Sequence, residues 1–122
     1  MKNRHVLEEM LIIFGYPKED WMGYKFSKKN YISYHHILEK RNNGIESIDN
    51  GALLSRTSHL LLQKIELINY DLYLKWQILF MEINASRKPI DDYFYFKIVE
   101  LKKETKEFFV SLSEMKNISF TL

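Results

Sequence analysis

Hydrophobic residues recur at helical spacing in four parts of the chain. Near the N-terminus the apolar positions follow one another at intervals of three and four residues and stop before Gly15, which predicts a helix over about residues 4–14. Three later segments show the same period and predict helices over about residues 59–68, 71–84 and 90–114. Thr57 or Ser58 is expected to cap the first of these three. Its expected buried residues are Leu62, Ile65, Leu67 and Ile68.

Between the first and second helical patterns the chain favours extended structure. Residues 31–37 and 51–54 are rich in apolar and aromatic residues, and a polar loop over residues 39–49 with the turn signal Asn42-Asn43-Gly44 separates them. Residues 24–26 also favour extended structure. They would form either a hairpin with residues 31–37 through a turn at 27–30, or one of a pair of short extended segments. The chain thus predicts one α+β domain over residues 1–122. A strand–loop–strand–helix unit over about residues 31–68 would be wrapped by three to four additional helices that supply apolar area.

The composition of the chain limits the metal ligands and the partners that can be expected. The 122-residue chain has no cysteine, which excludes disulfides and thiolate metal sites, so any metal must bind imidazole, carboxylate, amide or water. A cysteine-free chain also fits a reducing cytoplasm, where we expect this protein. No uninterrupted apolar run is long enough for a membrane span. The net charge is only +2, so bulk charge alone does not indicate nucleic-acid binding.

Three of the four histidines lie in one short stretch of the chain. His35 and His36 are adjacent, Asn50 follows the polar loop, and His59 lies where the next helix is predicted to begin. A neutral imidazole titrates near physiological pH and can take a proton from attacking water. One divalent cation can clamp a phosphate and stabilise the charge that builds on the leaving oxygen. Histidines together with one bound cation could therefore supply the groups that hydrolysis of a phosphodiester requires.

The arrangement resembles the HNH endonuclease family, which has the ββα-metal fold. The matching motifs are Tyr34-His35-His36-Ile37, the glycine-containing loop, Asp49-Asn50-Gly51-Ala52-Leu53-Leu54 and Ser58-His59. Asn50 follows His36 by 14 positions and precedes His59 by 9, as in the layout of that family. The resemblance covers about residues 31–66, and the combination of motifs is more specific than any one residue in it.

The resemblance implies a role for each of these residues. His36 would be the general base that activates water, and His35 and His59 would be ligands of the metal. Asn50 would brace the loop and orient the base, or reach the metal as in some members. Many members have a further histidine where this chain has Gln63, so Gln63 would be a weak third ligand. Mg²⁺ or Mn²⁺ is the expected metal, and the two imidazoles also suit Zn²⁺ or Ni²⁺.

Lys40 and Arg41 follow the histidine pair and are candidates for gripping phosphates, although an ordinary charged loop is an equally good interpretation. The leading hypothesis is a small metal-dependent endonuclease that hydrolyses DNA. The alternative is an HNH-like binding protein of a phage or mobile element whose catalysis is weak or lost. One example would be an anti-CRISPR type inhibitor that binds a host defence nuclease. Neither hypothesis specifies an oligomeric state.

Overall fold

The protein is an α+β structure, as the sequence predicts. A computed structural model describes residues 2–38 and 47–121, with side chains over residues 5–38 and 47–115. Helix α1 spans Lys2–Ile13, strand β1 spans Ile32–His36, and a 3-10 turn at Ile48–Asn50 leads into strand β2 at Gly51–Ser55. Helices α2 (Arg56–Ile68), α3 (Tyr70–Ser86) and α4 (Asp92–Thr121) follow. The predicted helices over 71–84 and 90–114 are therefore longer than expected, and the N-terminal helix begins and ends earlier.

The two strands form an antiparallel pair across the polar loop. His35 lies opposite Ala52, and His36 lies opposite Gly51. All five residues of β2 are buried, whereas β1 is half-buried along its length. Gly51 cannot carry a side chain, because an added Cβ would lie 2.5 Å from the ring of Tyr34 and 2.6 Å from the sulfur of Met10. The C-terminal end of β1, which carries the histidine pair, therefore packs closely against the first residue of β2.

Of the two predictions for residues 24–26, the hairpin with residues 31–37 is wrong. Residues 24–26 form no strand, and the nearest ladder contact is a single bridge between Glu19 and Lys25. The cause is Asp20, whose Oδ1 accepts hydrogen bonds from the backbone N–H groups of Met22 and Tyr24. A side chain that binds nearby backbone donors folds the chain into a turn and competes with strand pairing.

Helix α2 begins two to three residues before the predicted position. Ser55 is its N-cap, and the Ser55 hydroxyl accepts a hydrogen bond from the backbone N–H of Ser58. The buried residues of α2 are Ser58, Leu62 and Ile65. The expected burial of Leu67 and Ile68 is wrong, since their side chains are 85% and 45% exposed. Five residues beyond Leu62, Leu67 lies about 140° round the helix from the buried face.

The core lies between the sheet and helix α3. Trp21 stacks edge-on against Phe14 and lies 6.4 Å from the ring of Phe80, measured between centroids. The buried face of α3 includes apolar residues at helical spacing, namely Leu72, Trp76, Leu79, Phe80 and Ile83. Helix α4 covers α3, and the indole N–H of Trp76 donates to the hydroxyl of Thr105 at 3.0 Å. Within the described residues, every helix is too short or too polar to cross a lipid bilayer.

Candidate functional site

The three histidines of the motif line one cavity at the junction of β1 and α2. The cavity has a volume of about 260 Å³. His35 and His36 come from the end of β1, and His59 comes from the first turns of α2. The other lining residues are Tyr34, Leu62, Gln63, Glu66 and Tyr73. The fold thus brings together four residues that the sequence singled out, namely the three histidines and Gln63.

His35 and His59 face each other across this cavity. Their ring centroids are 5.6 Å apart and the rings are inclined at 67°. His35 also contacts the edge of Phe80 in the core, with a centroid distance of 5.7 Å. The second partner of His35 is Gln77 of α3, whose Oε1 lies 2.8 Å from the His35 Nε2. His35 is therefore held from two sides by α3.

His36 is held on the other face of the strand. Adjacent strand residues point to opposite faces, so His36 lies on the side of Tyr34, and their rings meet edge-to-face at 4.8 Å between centroids. The Tyr34 hydroxyl is itself fixed, since it donates to the Ser47 carbonyl at 2.8 Å and accepts from the Ser47 N–H at 3.1 Å. Both histidines still reach the same cavity, because β1 ends at His36.

His59 is half-buried and its environment favours the neutral imidazole. Burial lowers the pKa of His59 below its ordinary value of 6.5, while the Asp20 carboxylate and a hydrogen bond to the Tyr34 backbone partly oppose that shift. A neutral imidazole keeps one nitrogen lone pair, which is the form that binds a metal ion.

The lowered pKa predicts how the stability of the metal-free protein depends on pH. As the pH falls below 6.5, His59 takes up a proton in the unfolded chain before it does so in the folded chain. The contribution of His59 to the free energy of unfolding is therefore complete above pH 6.5 and is lost as the pH falls through the lower pKa of the folded state. Urea unfolding in EDTA, at several pH values from 7.5 to 5, is expected to show a smaller loss on acidification for His59→Asn than for the wild type. The exposed His5 provides the control, and His5→Asn should keep the wild-type slope. An equal loss of unfolding free energy on acidification in all three proteins would contradict a lowered pKa of His59.

Asn50 lies beside the histidine cavity and not in it. Its side-chain oxygen accepts from the Leu38 N–H at 2.7 Å, and its amide donates to the Leu38 carbonyl at 2.9 Å. The Asn50 backbone carbonyl also accepts from the Ile37 N–H. Asn50 thereby ties the residues that follow β1 to those that precede β2. It lines a second cavity of about 410 Å³, which shares Glu66 and Tyr73 with the first.

The remaining predicted residues differ in position. Gln63 is exposed at the rim of the histidine cavity, one turn beyond His59, and Glu66 is half-buried between the two cavities. Lys40 and Arg41 lie outside the described residues, so their predicted contacts with phosphate stay predictions. Over the described side chains, no group of three or more His, Asp or Glu residues is arranged to hold a metal ion.

Two polar residues that support the site were not predicted. Asp20 is buried, and its Oδ2 accepts from the Ser55 N–H, the Ser55 hydroxyl and the Ser58 hydroxyl, directly before His59. Gln77 lies on the buried face of α3. Neither belongs to the histidine motif. The available signal was weak: Gln77, like Asn84 further along the helix, is a polar residue on a mainly apolar inward face.

Comparisons with known proteins give no match. No protein-family model matches the chain, and no curated protein and no solved structure is significantly similar to it.

Proposed function

We propose that this protein is a metal-dependent endonuclease of the HNH type that hydrolyses DNA phosphodiester bonds. In this proposal β1, β2 and α2 form a ββα-metal unit, and the other helices stabilise it. One observation carries the proposal: His35, His36 and His59, which are 24 positions apart at the extremes, line the same cavity. Three imidazoles around a single opening provide both ligands for a cation and a base for water.

The residues present fit a cation that is held by few protein ligands. His35 and His59 face each other, and the lowered pKa of His59 favours the form that can bind a metal. Gln63 at the rim can add an amide oxygen, which is a weaker ligand than imidazole. A catalytic site must keep open positions for phosphate and water, and a two-imidazole site keeps them. Mg²⁺ or Mn²⁺ is the expected ion, with Zn²⁺ or Ni²⁺ as alternatives.

The protein's own residues perform the other tasks. When bound, the cation would supply charge stabilisation at the phosphate and the leaving oxygen. His36 takes a proton from the attacking water, a task for which an imidazole side chain is suited. The ring of Tyr34 restricts the orientation of His36, and the Asn50 side chain fixes the backbone just beyond it through Leu38. Positioning of this kind is a large part of catalysis of a hydrolytic step.

Metal removal provides the direct test of this function. The purified protein is expected to nick supercoiled plasmid in Mg²⁺ or Mn²⁺, and excess EDTA is expected to abolish nicking. His59→Ala should require at least about tenfold more Mn²⁺ for half-maximal nicking, because a change in the ligand set weakens metal affinity strongly. Lys75→Ala, on the outer face of α3, is the control and should behave as the wild type. Nicking that persists in EDTA would refute the proposal.

A second candidate function is a binding protein without catalysis. It is favoured by the outer face of the N-terminal part of α4, where Tyr93, Tyr95 and Phe96 are each more than half exposed. Exposed aromatic groups of this kind are common in protein–protein interfaces. Tight binding of a protein partner that Phe96→Ala abolishes, together with no nicking in any divalent metal, would favour this candidate.

A further inference from the structure

Gln77 makes two contacts with the strand that carries the histidine pair. It is 8% exposed and lies on α3, beyond the strand–strand–helix unit that carries the motif. Its side-chain Nε2 donates a hydrogen bond to the Ile37 carbonyl. Its Oε1 lies 2.8 Å from the His35 Nε2. One side-chain amide from a neighbouring helix therefore binds both the backbone and a histidine side chain at the end of β1.

These two contacts determine the tautomer of a neutral His35 ring. A backbone carbonyl can only accept a hydrogen bond, so the NH₂ group of Gln77 must face Ile37 and its oxygen must face His35. An amide oxygen also only accepts, so the hydrogen of the neutral His35 ring is on Nε2. The other nitrogen, Nδ1, then carries the lone pair. Imidazole ligands of metals are commonly oriented by such a hydrogen bond from the opposite ring nitrogen.

We infer that Gln77 is a positioning residue that holds His35 as the Nε2–H tautomer and makes Nδ1 the nitrogen through which His35 binds the cation. The cation-binding part of this inference rests on the proposed function, whereas the tautomer does not. Gln77 acts only through His35 and is not a catalytic residue. The inference also assigns α3 a functional task in addition to its packing in the core.

The ring nitrogens of His35 can be observed without any metal. In a ¹⁵N-labelled, metal-free sample at pH 7.5, long-range ¹H–¹⁵N spectra are expected to show a protonated Nε2 and an unprotonated Nδ1 in His35. Gln77→Met removes both hydrogen bonds with little change in volume and is expected to give shifts averaged between ring states. A wild-type His35 protonated at Nδ1 would overturn the inference, as would unchanged His35 shifts in Gln77→Met.

Metal affinity provides the second measurement. Mn²⁺ titrations followed by electron paramagnetic resonance should show about 10–100-fold weaker binding for Gln77→Met, the usual effect of removing an outer hydrogen bond to a ligand. Gln77→Glu keeps an acceptor for the Nε2–H, but its carboxylate favours the protonated imidazolium. Its Mn²⁺ binding should therefore be weak near neutral pH and recover as the pH is raised, whereas that of Gln77→Met should stay weak.

A matched control separates positioning from stability. Thr105→Val removes the buried hydrogen bond from Trp76, the residue next to Gln77 on α3, and is remote from the histidine cavity. It should lower the melting temperature by several degrees, as Gln77→Met does, and leave Mn²⁺ affinity within about twofold of the wild type. An equal loss of affinity in both variants would show that Gln77 acts only through stability and would overturn the inference. The wild-type protein could show the expected His35 tautomer and bind Mn²⁺ but fail to cleave DNA. That result would refute the proposed function and leave this inference standing.

Discussion

His36→Ala is expected to lower the rate of plasmid nicking by about 10²–10⁴-fold, the usual contribution of a general base. His36 is the one histidine of the cavity that we assign to proton transfer, and His35 and His59 stay available to hold the cation. Mn²⁺ affinity of His36→Ala should therefore remain within a few fold of the wild type. The measurement is the initial nicking rate at saturating Mn²⁺, with affinity determined in parallel on the same sample.

His5→Ala provides the matched control for this experiment. His5 is exposed on α1, away from the cavity, and its removal should leave the rate unchanged. Far-ultraviolet circular dichroism and the urea midpoint should show that His36→Ala is folded. A folded His36→Ala protein that nicks DNA at the wild-type rate would remove His36 from the mechanism. Loss of Mn²⁺ binding in that variant would instead identify His36 as a metal ligand, contrary to the assignment.

Asp20→Ala is expected to lower the free energy of unfolding by about 3–5 kcal/mol, because several buried donors lose their acceptor at once. The Asp20 carboxylate is 1% exposed. It binds the N–H groups of Met22 and Tyr24 on one side and three donors of Ser55 and Ser58 on the other. It therefore joins the turn after α1 to the start of α2, one residue before His59.

Urea unfolding at pH 7.5 measures this effect. Asp20→Asn should be destabilised too, because its NH₂ group must meet backbone or hydroxyl donors where a carboxylate oxygen now accepts. Asp71→Ala is the control: Asp71 is exposed in the first turn of α3, where a carboxylate contributes only about 0.3–1 kcal/mol through the helix dipole. Similar small losses for Asp20→Ala and Asp71→Ala would show that the buried cluster is not a major source of stability.

The elements of this fold could be predicted where the signal is local. The inward faces of α3 and α4 follow from apolar spacing, and the two strands on either side of the polar loop follow from residue type. The exposed Leu67 and Ile68 show the limit of this reasoning. Apolar character alone does not say which helical face is buried, because that depends on which elements the helix packs against. The start of α2 is likewise non-local, since the hydroxyl of its N-cap Ser55 is bound to Asp20, 35 residues away in the chain.

The candidate site could likewise be predicted only where the signal lies in the local sequence. Sequence reasoning found the histidines because the family layout is defined by residue type and spacing. It missed Gln77 and Asn84, which lie seven positions apart on the buried face of α3. Gln77 binds the Ile37 carbonyl, and Asn84 binds the carbonyls of Ile48 and Gly51. The two amides thus fix the chain just after β1 and at the start of β2. Such contacts depend on how α3 packs on the sheet, which no local pattern records.

In the proposed function, His35 and His59 hold one cation and His36 lies beside it in the same cavity. A crystal soaked in Mn²⁺ and measured at a wavelength where manganese scatters anomalously tests it most directly. We expect a single anomalous peak between the rings of His35 and His59, within about 2–2.5 Å of one nitrogen of each, with His36 outside the coordination sphere. A fully ordered site without any anomalous peak, or a manganese ion bound elsewhere, would contradict the account.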